Sequence, residues 1–166
     1  MQKKRIVEIS EQEAFAKLSA LCARAEHSSG EMLQKMRDWY IDQSAQERVL
    51  ARLQDMGFID DERYARAYIA DKMRYNQWGR RKIAQGLWQK GVDRTVYDPL
   101  LREIERDEFI AILRPLLEAK RRTVRAESPY EQRMKLVRFA VGRGFDLDEI
   151  EACLGYTDDA YGLDDD

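Results

Sequence analysis

The chain has 166 residues, of which 36% are charged, and its formal net charge is −2. It contains only nine Gly and three Pro, which favours a helical protein over a turn-rich β protein. The sequence contains no run of 18 apolar residues that would indicate a membrane-spanning helix. The apolar stretch after the basic residues 3–5 is too short for a signal peptide. We therefore expect a soluble, cytoplasmic, largely helical protein without membrane association.

Catalytic and metal-binding chemistry find little support in the sequence. Two cysteines, Cys22 and Cys153, and one histidine, His27, provide no spacing typical of a metal site. Each cysteine lies on an apolar stripe, where we interpret it as a small buried hydrophobic residue. Nucleotide-binding glycine loops and the motifs of zinc deaminases and metalloproteases are absent from the sequence. We expect no cofactor, no metal ion and no enzymatic activity.

Five helix starts are indicated by a capping residue that stands three positions before a Glu. In such a pair both side chains accept hydrogen bonds from amides that are otherwise unpaired at the start of the helix. The pairs are Ser10-Glu13, Ser28-Glu31, Ser44-Glu47, Ser128-Glu131 and Asp146-Glu149. The pattern predicts a string of short helices, and the one segment that could form a strand is residues 6–9.

An apolar pattern recurs three times along the chain. It consists of an apolar pair four residues apart, a turn residue followed by an apolar residue, and a Leu further on. The copies, each related to the next by one constant offset, are Met32, Met36, Tyr40, Ile41 and Leu50; Ile83, Leu87, Gly91, Val92 and Leu101; and Leu136, Ala140, Gly144, Phe145 and Leu154. Because one such unit cannot bury enough surface alone, we predict a tandem array of stacked units.

The predicted fold is all-α, with three tandem three-helix repeats that form an elongated, curved array, and we expect a monomer. An N-terminal arm at 1–9 precedes the repeats, which lie at 10–57, 58–105 and 106–156. In the third repeat, Pro115 should kink the first helix or mark its true start. Residues 157–166 hold five Asp and no basic residue. We expect this acidic, disordered tail to be a solvated end or a screen for basic surface elsewhere.

The middle repeat carries a basic stretch that is rich in aromatic residues. Between residues 63 and 94, nine Lys and Arg stand against two Asp, with five Tyr and Trp side chains among them. Arg80, Arg81 and Lys82 open a predicted helix, where cations meet the positive end of the helix dipole at a cost of about 0.3–1 kcal/mol. The pattern favours a surface for an anionic partner, and a merely solvated face is the alternative.

Three motifs in and just before this stretch resemble the central motif of the RecX family, bacterial regulators of the recombinase RecA. They are Gly57-Phe58-Ile59-Asp60-Asp61-Glu62-Arg63-Tyr64-Ala65, Gly79-Arg80-Arg81-Lys82-Ile83 and Gln89-Lys90-Gly91-Val92. The resemblance implies a protein that binds RecA and the groove of RecA–DNA filaments. It also implies inhibition of filament growth and of the ATPase, strand-exchange and coprotease activities, and hence a role in recombination, DNA repair and the SOS response.

The candidate contacts with RecA or DNA are carried over by position in this motif. They are Arg63, Arg66, Lys72, Arg74, Tyr75, Trp78, Arg80, Arg81, Lys82 and Lys90. Asp60 and Asp61 are expected to close one unit and to cap the next helix. Single- and double-stranded DNA are further candidate partners. Two alternative functions remain open. The first is a helical DNA-binding protein that acts without RecA, although no base-reading residues can be identified. The second is a helical-repeat scaffold for another protein.

Overall fold

Helices account for all the regular secondary structure in the described part of the chain. The structure, a computed structural model, describes residues 8–155. Nine α-helices follow one another in this range: α1 Glu11–Arg24, α2 Ser29–Asp38, α3 Gln43–Asp55, α4 Asp61–Asp71, α5 Arg80–Gln89, α6 Arg94–Arg102, α7 Arg106–Thr123, α8 Pro129–Gly142 and α9 Leu147–Leu154. A π-helical turn, Lys72–Asn76, extends α4. Residues 8–155 contain no strand, so the all-α prediction is confirmed.

Three helices fall within each of the three predicted repeats, which confirms the tandem helical array. Helices α1–α3 lie within 10–57, α4–α6 within 58–105 and α7–α9 within 106–156. Residues 8 and 9 belong to neither a helix nor a strand. The rest of the N-terminal arm, and the acidic tail expected at 157–166, lie outside the described residues. Among those described, no helix has the length and apolar character needed to cross a membrane.

The recurring apolar pattern marks the same helix end in all three repeats. Tyr40, Gly91 and Gly144 adopt left-handed backbone conformations, with φ of 58°, 76° and 93°. The amide after each turn donates to a carbonyl five residues earlier, in the pairs Ile41 N to Met36 O, Val92 N to Leu87 O and Phe145 N to Ala140 O. This is the Schellman arrangement, and the apolar residue that follows each turn is buried. The second helix of every repeat therefore ends alike.

Side chains cap most of the predicted helix starts, but one predicted start is wrong. Four of the predicted pairs begin helices, with the caps Ser10, Ser28, Ser128 and Asp146. Ser44 does not cap α3, because this helix begins at Gln43. Its cap is Asp42, whose carboxylate accepts a hydrogen bond from Ala45 N at 2.8 Å. Because the Asp42 side chain already accepts from this amide, Asp42 is the cap and Ser44 lies inside the first turn of the helix.

Proline lies inside two of the described helices. Helix α7 begins at Arg106 and runs through Pro115, so the expectation that Pro115 marks the start of the helix is wrong. Pro115 is exposed, and water can therefore satisfy the carbonyl that its missing N–H leaves unpaired. Helix α6 likewise contains Pro99.

The chain packs as two compact units, each built from two segments. Of the described residues, 8–68 and 86–99 form the first unit, and 69–85 and 100–155 form the second. In the first, α1, α2 and α3 pack around Ala14, Leu18, Met32, Met36, Ile41, Ala45, Val49, Leu53 and Ile59. In the second, α7, α8 and α9 pack together and bury Phe109, Leu113, Leu117, Leu136, Ala140, Phe145 and Ile150. Helices α4, α5 and α6 each contribute residues to both units.

Candidate interaction surface at the basic turn

The basic turn, residues 77–82, connects the π-helical turn to α5. The amides of Gln77 and Trp78 both donate to Lys72 O, and Gln77 has a left-handed backbone with φ 54°. Such a conformation costs a residue other than glycine about 1–3 kcal/mol, and π-helical turns occur frequently at functional sites. The sequence did not predict this turn, because the apolar spacing through Ile69 and Met73 is that of an α-helix.

Hydrogen bonds hold the basic turn against the end of α8 within the second unit. Gly79 N donates to Arg143 O at 2.8 Å, and Arg81 N donates to Gly144 O at 3.2 Å. The Arg143 guanidinium in turn donates to Asn76 O at 2.7 Å. A Cβ on Gly79 would lie 2.4 Å from the Gly144 carbonyl carbon, so only glycine permits this approach. The unpaired amides at the start of α5 thereby find acceptors at the end of α8.

Arg80, a predicted contact residue, is half-buried and has structural partners within the second unit. Its guanidinium donates to Leu101 O at 2.7 Å and to Ile104 O at 3.0 Å, and it lies 4.9 Å from the ring centroid of Phe109. Leu101 lies in the last turn of α6, where its carbonyl also accepts from Ile104 N at 3.3 Å, and Ile104 follows the helix. Arg80 therefore positions the turn.

Arg81 is more exposed than Arg80 but is also tied to the α8–α9 connection. Its guanidinium donates to Phe145 O at 2.9 Å, and its Nε lies 3.4 Å from Asp146 Oδ1. With 57% of its side chain exposed, Arg81 keeps donors directed to solvent. It can therefore contact an anion without giving up its partners in the fold.

Trp78 brings two of the predicted lysines together. The ammonium groups of Lys72 and Lys82 lie 4.9 Å and 4.8 Å from the ring centroid of Trp78. Each distance is within the cation–π range, worth roughly 0.5–1 kcal/mol at an exposed site. Nearby in the chain, the Arg74 guanidinium lies 5.3 Å from the ring of the exposed Tyr75. The basic stretch thus presents cations that are held on aromatic rings.

Three other candidate cations, Arg63, Arg66 and Lys90, belong to the first unit. The Arg63 guanidinium donates to Glu26 Oε1 at 2.8 Å. Arg66 forms an ion pair with Glu62 at 3.0 Å, one helical turn earlier. Lys90 is exposed at the end of α5. Exposed ion pairs of this kind contribute little to stability, so their cations remain accessible to a partner.

Asp60 and Asp61 have different roles in the structure. Asp60 Oδ1 accepts a hydrogen bond from Arg63 N at 3.0 Å and so caps α4. Asp61, the first residue of α4, instead accepts from Ser29 N at 2.7 Å and from the Ser29 hydroxyl. The carboxylate of Asp61 thereby pairs an amide at the start of α2. Sequence reasoning could not separate these roles, because Ser29 approaches Asp61 only in the folded chain.

A polar cluster beside this contact had no counterpart in the sequence analysis. Burial raises the pKa of Glu31, but hydrogen bonds with His27, Tyr64 and Ser28 outweigh it and hold this pKa below its usual range. His27 Nδ1 lies 3.1 Å from Glu31 Oε2. Burial and, next, the charge of Glu31 raise the pKa of the Tyr64 hydroxyl. Because its polar groups hydrogen-bond to one another, the cluster joins α2 to α4.

The structure offers few residues for metal or thiol chemistry. Among residues 8–155, no group of three or more His, Cys, Asp or Glu side chains could hold a metal ion. Cys22 and Cys153 are free and half-buried, and burial raises the pKa of both thiols. A raised pKa lowers the fraction of reactive thiolate.

Family models match the second and third repeats. The model of the second three-helix domain of RecX matches residues 60–98, and that of the third three-helix domain matches residues 107–154. The first match contains the basic turn, Asp60 and Asp61.

Curated relatives extend this likeness to most of the chain. A regulatory protein RecX from Thermus thermophilus is 33% identical over 135 residues, which cover 81% of this chain and 85% of that protein. The one from Chlorobium phaeobacteroides is 27% identical over 152 residues, or 90% and 96% of the two chains. The one from Leuconostoc citreum is 29% identical over 147 residues, 86% of this chain but 55% of that protein. The chain thus spans little more than half of this last relative.

Solved structures share the fold. The crystal structure of RecX from Lactobacillus salivarius superposes with a TM-score of 0.78 at 20% identity and covers 87% of this chain and 94% of that one. A second crystal structure of a regulatory protein RecX gives a TM-score of 0.81 at 18% identity, with 88% and 73% covered.

Proposed function

Because the chain belongs to the RecX family of regulatory proteins, we propose that it regulates the recombinase RecA by binding it. It acts in the cytoplasm, as a monomer, on RecA and on RecA–DNA filaments, whose groove it enters. There it inhibits filament growth and with it the ATPase, strand-exchange and coprotease activities. The outcome is control of recombination, DNA repair and the SOS response by binding rather than by catalysis.

The observation that carries this proposal is the placement of Lys72 and Lys82 on the ring of Trp78. Two long, flexible side chains are held at one place, on a turn that is itself fixed by hydrogen bonds to the end of α8. An anionic partner therefore meets cations that are already ordered, which lowers the entropic cost of binding. The acidic surface of a protein and the phosphates of DNA both fit this chemistry.

The predicted contact residues have different roles in the proposed surface. We assign contact with the filament to Lys72, Arg74, Tyr75, Trp78 and Lys82, all of the second unit. Arg80 and Arg81 position the basic turn through backbone carbonyls, and Arg81 also offers its exposed donors. Within the first unit, Arg63, Arg66 and Lys90 provide further cations for a partner.

The test is a double charge reversal, Lys72→Glu with Lys82→Glu, in an assay of RecA's DNA-dependent ATPase. We expect the concentration needed for suppression to rise at least tenfold, because attraction turns into repulsion and steering is lost. Lys17→Glu with Arg24→Glu is the matched control, because it makes the same change in charge at exposed positions of α1 in the first unit, where Lys17 also lies 5.7 Å from the ring centroid of Trp39. Equal suppression by the double variant and the control would contradict the proposal.

Titrations against bare single-stranded DNA and bare duplex, each at two salt concentrations, test the alternative of a DNA-binding protein that acts without RecA. That alternative predicts tight binding to bare DNA that falls steeply with salt, with no suppression of the ATPase. Our proposal predicts tighter binding to RecA filaments than to either DNA.

A further inference from the structure

Two grooves occupy equivalent positions in successive repeats. In the second unit, a groove of about 630 Å³ is lined by Arg81, Lys82, Gln85, Val141, Gly142 and Gly144. In the first unit, a groove of about 450 Å³ is lined by residues of α2 and of the end of α5, namely Gly30, Glu31, Gln34, Lys35, Arg37, Asp38, Gln89, Lys90 and Gly91. The repeat pairs Gly30 with Arg81, Glu31 with Lys82, Gln34 with Gln85 and Gly91 with Gly144. Each groove lies where the start of one helix meets the end of another.

The two grooves differ in charge. The groove in the second unit has two cationic lining residues, Arg81 and Lys82, and no acidic one. The one in the first unit has three cationic lining residues, Lys35, Arg37 and Lys90, but also the two carboxylates of Glu31 and Asp38. Asp146 pairs with Arg81 at 3.4 Å, and both side chains remain about half exposed. The groove in the second unit therefore selects for an anion.

The floor of the cationic groove also suits an extended chain. A Cβ on Gly142 would meet nothing within 4 Å, so this position leaves open space beside α8. Val141 is 37% exposed and offers an apolar contact, and Gln85 offers an amide that can both donate and accept. Cations, an amide and an apolar side chain together match a peptide with carboxylates and an occasional apolar residue.

We propose that this groove is a binding site for an aspartate-rich peptide segment, and that residues 157–166 of the same chain are its occupant when no partner is bound. This segment contains five Asp and no Lys or Arg, and it includes Tyr161 and Leu163, which can contact Val141. The inference goes beyond the proposed function, because it concerns the chain in the absence of RecA and DNA.

The segment starts within reach of the groove. At the end of the described chain, Gly155 O accepts a hydrogen bond from the Arg133 guanidinium at 3.0 Å, early in α8. From Arg133 to Gly142 the distance along the helix is about 13 Å at 1.5 Å per residue. An extended chain spans roughly 3.3–3.6 Å per residue, so about four residues cover this distance and the following ones can pass around α8. Arg138 is exposed one turn before Gly142 and adds a cation along the path.

The energetics favour a contact that a partner can displace. Single attractions between exposed charges are weak and are screened by salt. A tethered segment nevertheless binds at an effective concentration of roughly millimolar, which is enough to occupy a weak site. A partner with more negative charge, or with a better fit, then displaces the segment without any other change in the fold.

The experiment compares the 166-residue chain with a variant in which Asp158, Asp159, Asp164, Asp165 and Asp166 are replaced by Asn. In ¹⁵N-resolved NMR spectra at low salt, we expect the amide signals of Gly142 and Gly144 and the side-chain amide of Gln85 to differ between the two proteins. The differences should vanish at about 1 M salt, where the screening length is roughly 3 Å. Gly30 and Gly91 in the equivalent groove are the internal control and should not move.

Two probes then identify the ligand of the groove. A synthetic peptide of residues 156–166, added to the Asn variant, should return the Gly142 and Gly144 signals towards their wild-type positions, and Lys82→Gln should abolish this effect. A thymidine oligonucleotide should bind the Asn variant about two- to tenfold more tightly than wild type, as expected from a millimolar tethered competitor.

Identical spectra of the two proteins at low salt would overturn the proposal. It would equally be overturned if the oligonucleotide moved the groove signals and the peptide did not, since the groove would then belong to nucleic acid. RecA is absent from these measurements, so their failure is distinct from a failure of the proposed function.

Discussion

Gly30 and Gly91 are in direct backbone contact within the first unit: a Cβ on Gly30 would lie 2.4 Å from the Gly91 Cα. The contact joins the start of α2 to the end of α5. Gly79 and Gly144 make a similar approach in the second unit, between the start of α5 and the end of α8, again at 2.4 Å. Because the clashing atoms would be backbone, no side-chain rotation can relieve them.

Gly30→Ala should therefore lower the free energy of unfolding by about 1–3 kcal/mol, the range for an overpacked interior. Chemical denaturation measures this change. Gly142→Ala is the control, because it adds the same methyl group within α8 where a Cβ would meet nothing. It should leave stability unchanged or raise it by about 0.5–1 kcal/mol. Equal effects of the two substitutions would contradict the close contact.

Tyr40→Gly should stabilise the protein. Tyr40 has φ 58° and is 78% exposed. Its side chain therefore makes this backbone conformation strained while burying little surface. Relief of the left-handed strain, worth roughly 1–2 kcal/mol, exceeds the extra chain entropy of glycine, roughly 0.5–1 kcal/mol. The midpoint of thermal unfolding should rise, and Tyr40→Phe should not change it. A lower midpoint for the glycine variant would show that the Tyr40 side chain contributes more than its exposure suggests.

Leu87→Ala should be strongly destabilising. Leu87 is fully buried in the middle repeat, and removal of such a side chain costs about 2–5 kcal/mol. The neighbouring Trp88 is 67% exposed, so Trp88→Ala should change the free energy of unfolding by only about 0.5 kcal/mol. Circular dichroism during urea titration provides both values. Equal losses of unfolding free energy in the two variants would show that the apolar stripe assigned to α5 is in the wrong register.

Glu149→Gln should change how stability depends on pH. Glu149 is 2% exposed, and no described residue donates a hydrogen bond to its Oε2. Burial, and then the charge of Asp146, raise the pKa of Glu149 despite an opposing hydrogen bond from Asp146 N and the charges of Arg80 and Arg106. The folded state therefore holds this proton more tightly than the unfolded state, and stability falls as pH rises above about 4.3, the usual pKa of Glu.

The Gln side chain stays neutral, so the variant should lose this part of the pH dependence and be more stable than wild type at pH 7. Unfolding curves at several pH values between 4 and 8 make the comparison. Glu151→Gln removes the same charge at an exposed position of α9 and serves as the control for the change in net charge. A Glu149→Gln variant that follows the wild-type profile would rule out a raised pKa.

The fold was predictable wherever the spacing of side chains along the helix decides burial. Met32 and Met36, and their equivalents in the later repeats, are all buried as the repeat register requires. Helix starts were less secure, because neighbouring polar residues compete for the same amides. Asp42 displaced Ser44 as the cap of α3, and Glu105 caps α7 although Glu is rarely a cap.

The candidate surface was predictable in its residue types but not in its roles. Cations and aromatic residues were apparent from composition, whereas the partners of Arg80 are carbonyls of Leu101 and Ile104, more than twenty residues further along the chain. The π-helical turn that brings Lys72 to Trp78 has no apolar signature. Both features arise from tertiary packing, which a single sequence does not display.

The division of α4, α5 and α6 between the two units has a consequence for synthesis on the ribosome. The first unit lacks its second segment until residue 99 has been translated, and by then residues 69–85 of the second unit have also been made. The basic turn thus emerges well before α8, whose end holds it in place. A nascent chain that stalls after residue 99 and before the end of α8 contains the complete first unit, while its basic turn still lacks the backbone partners that order it.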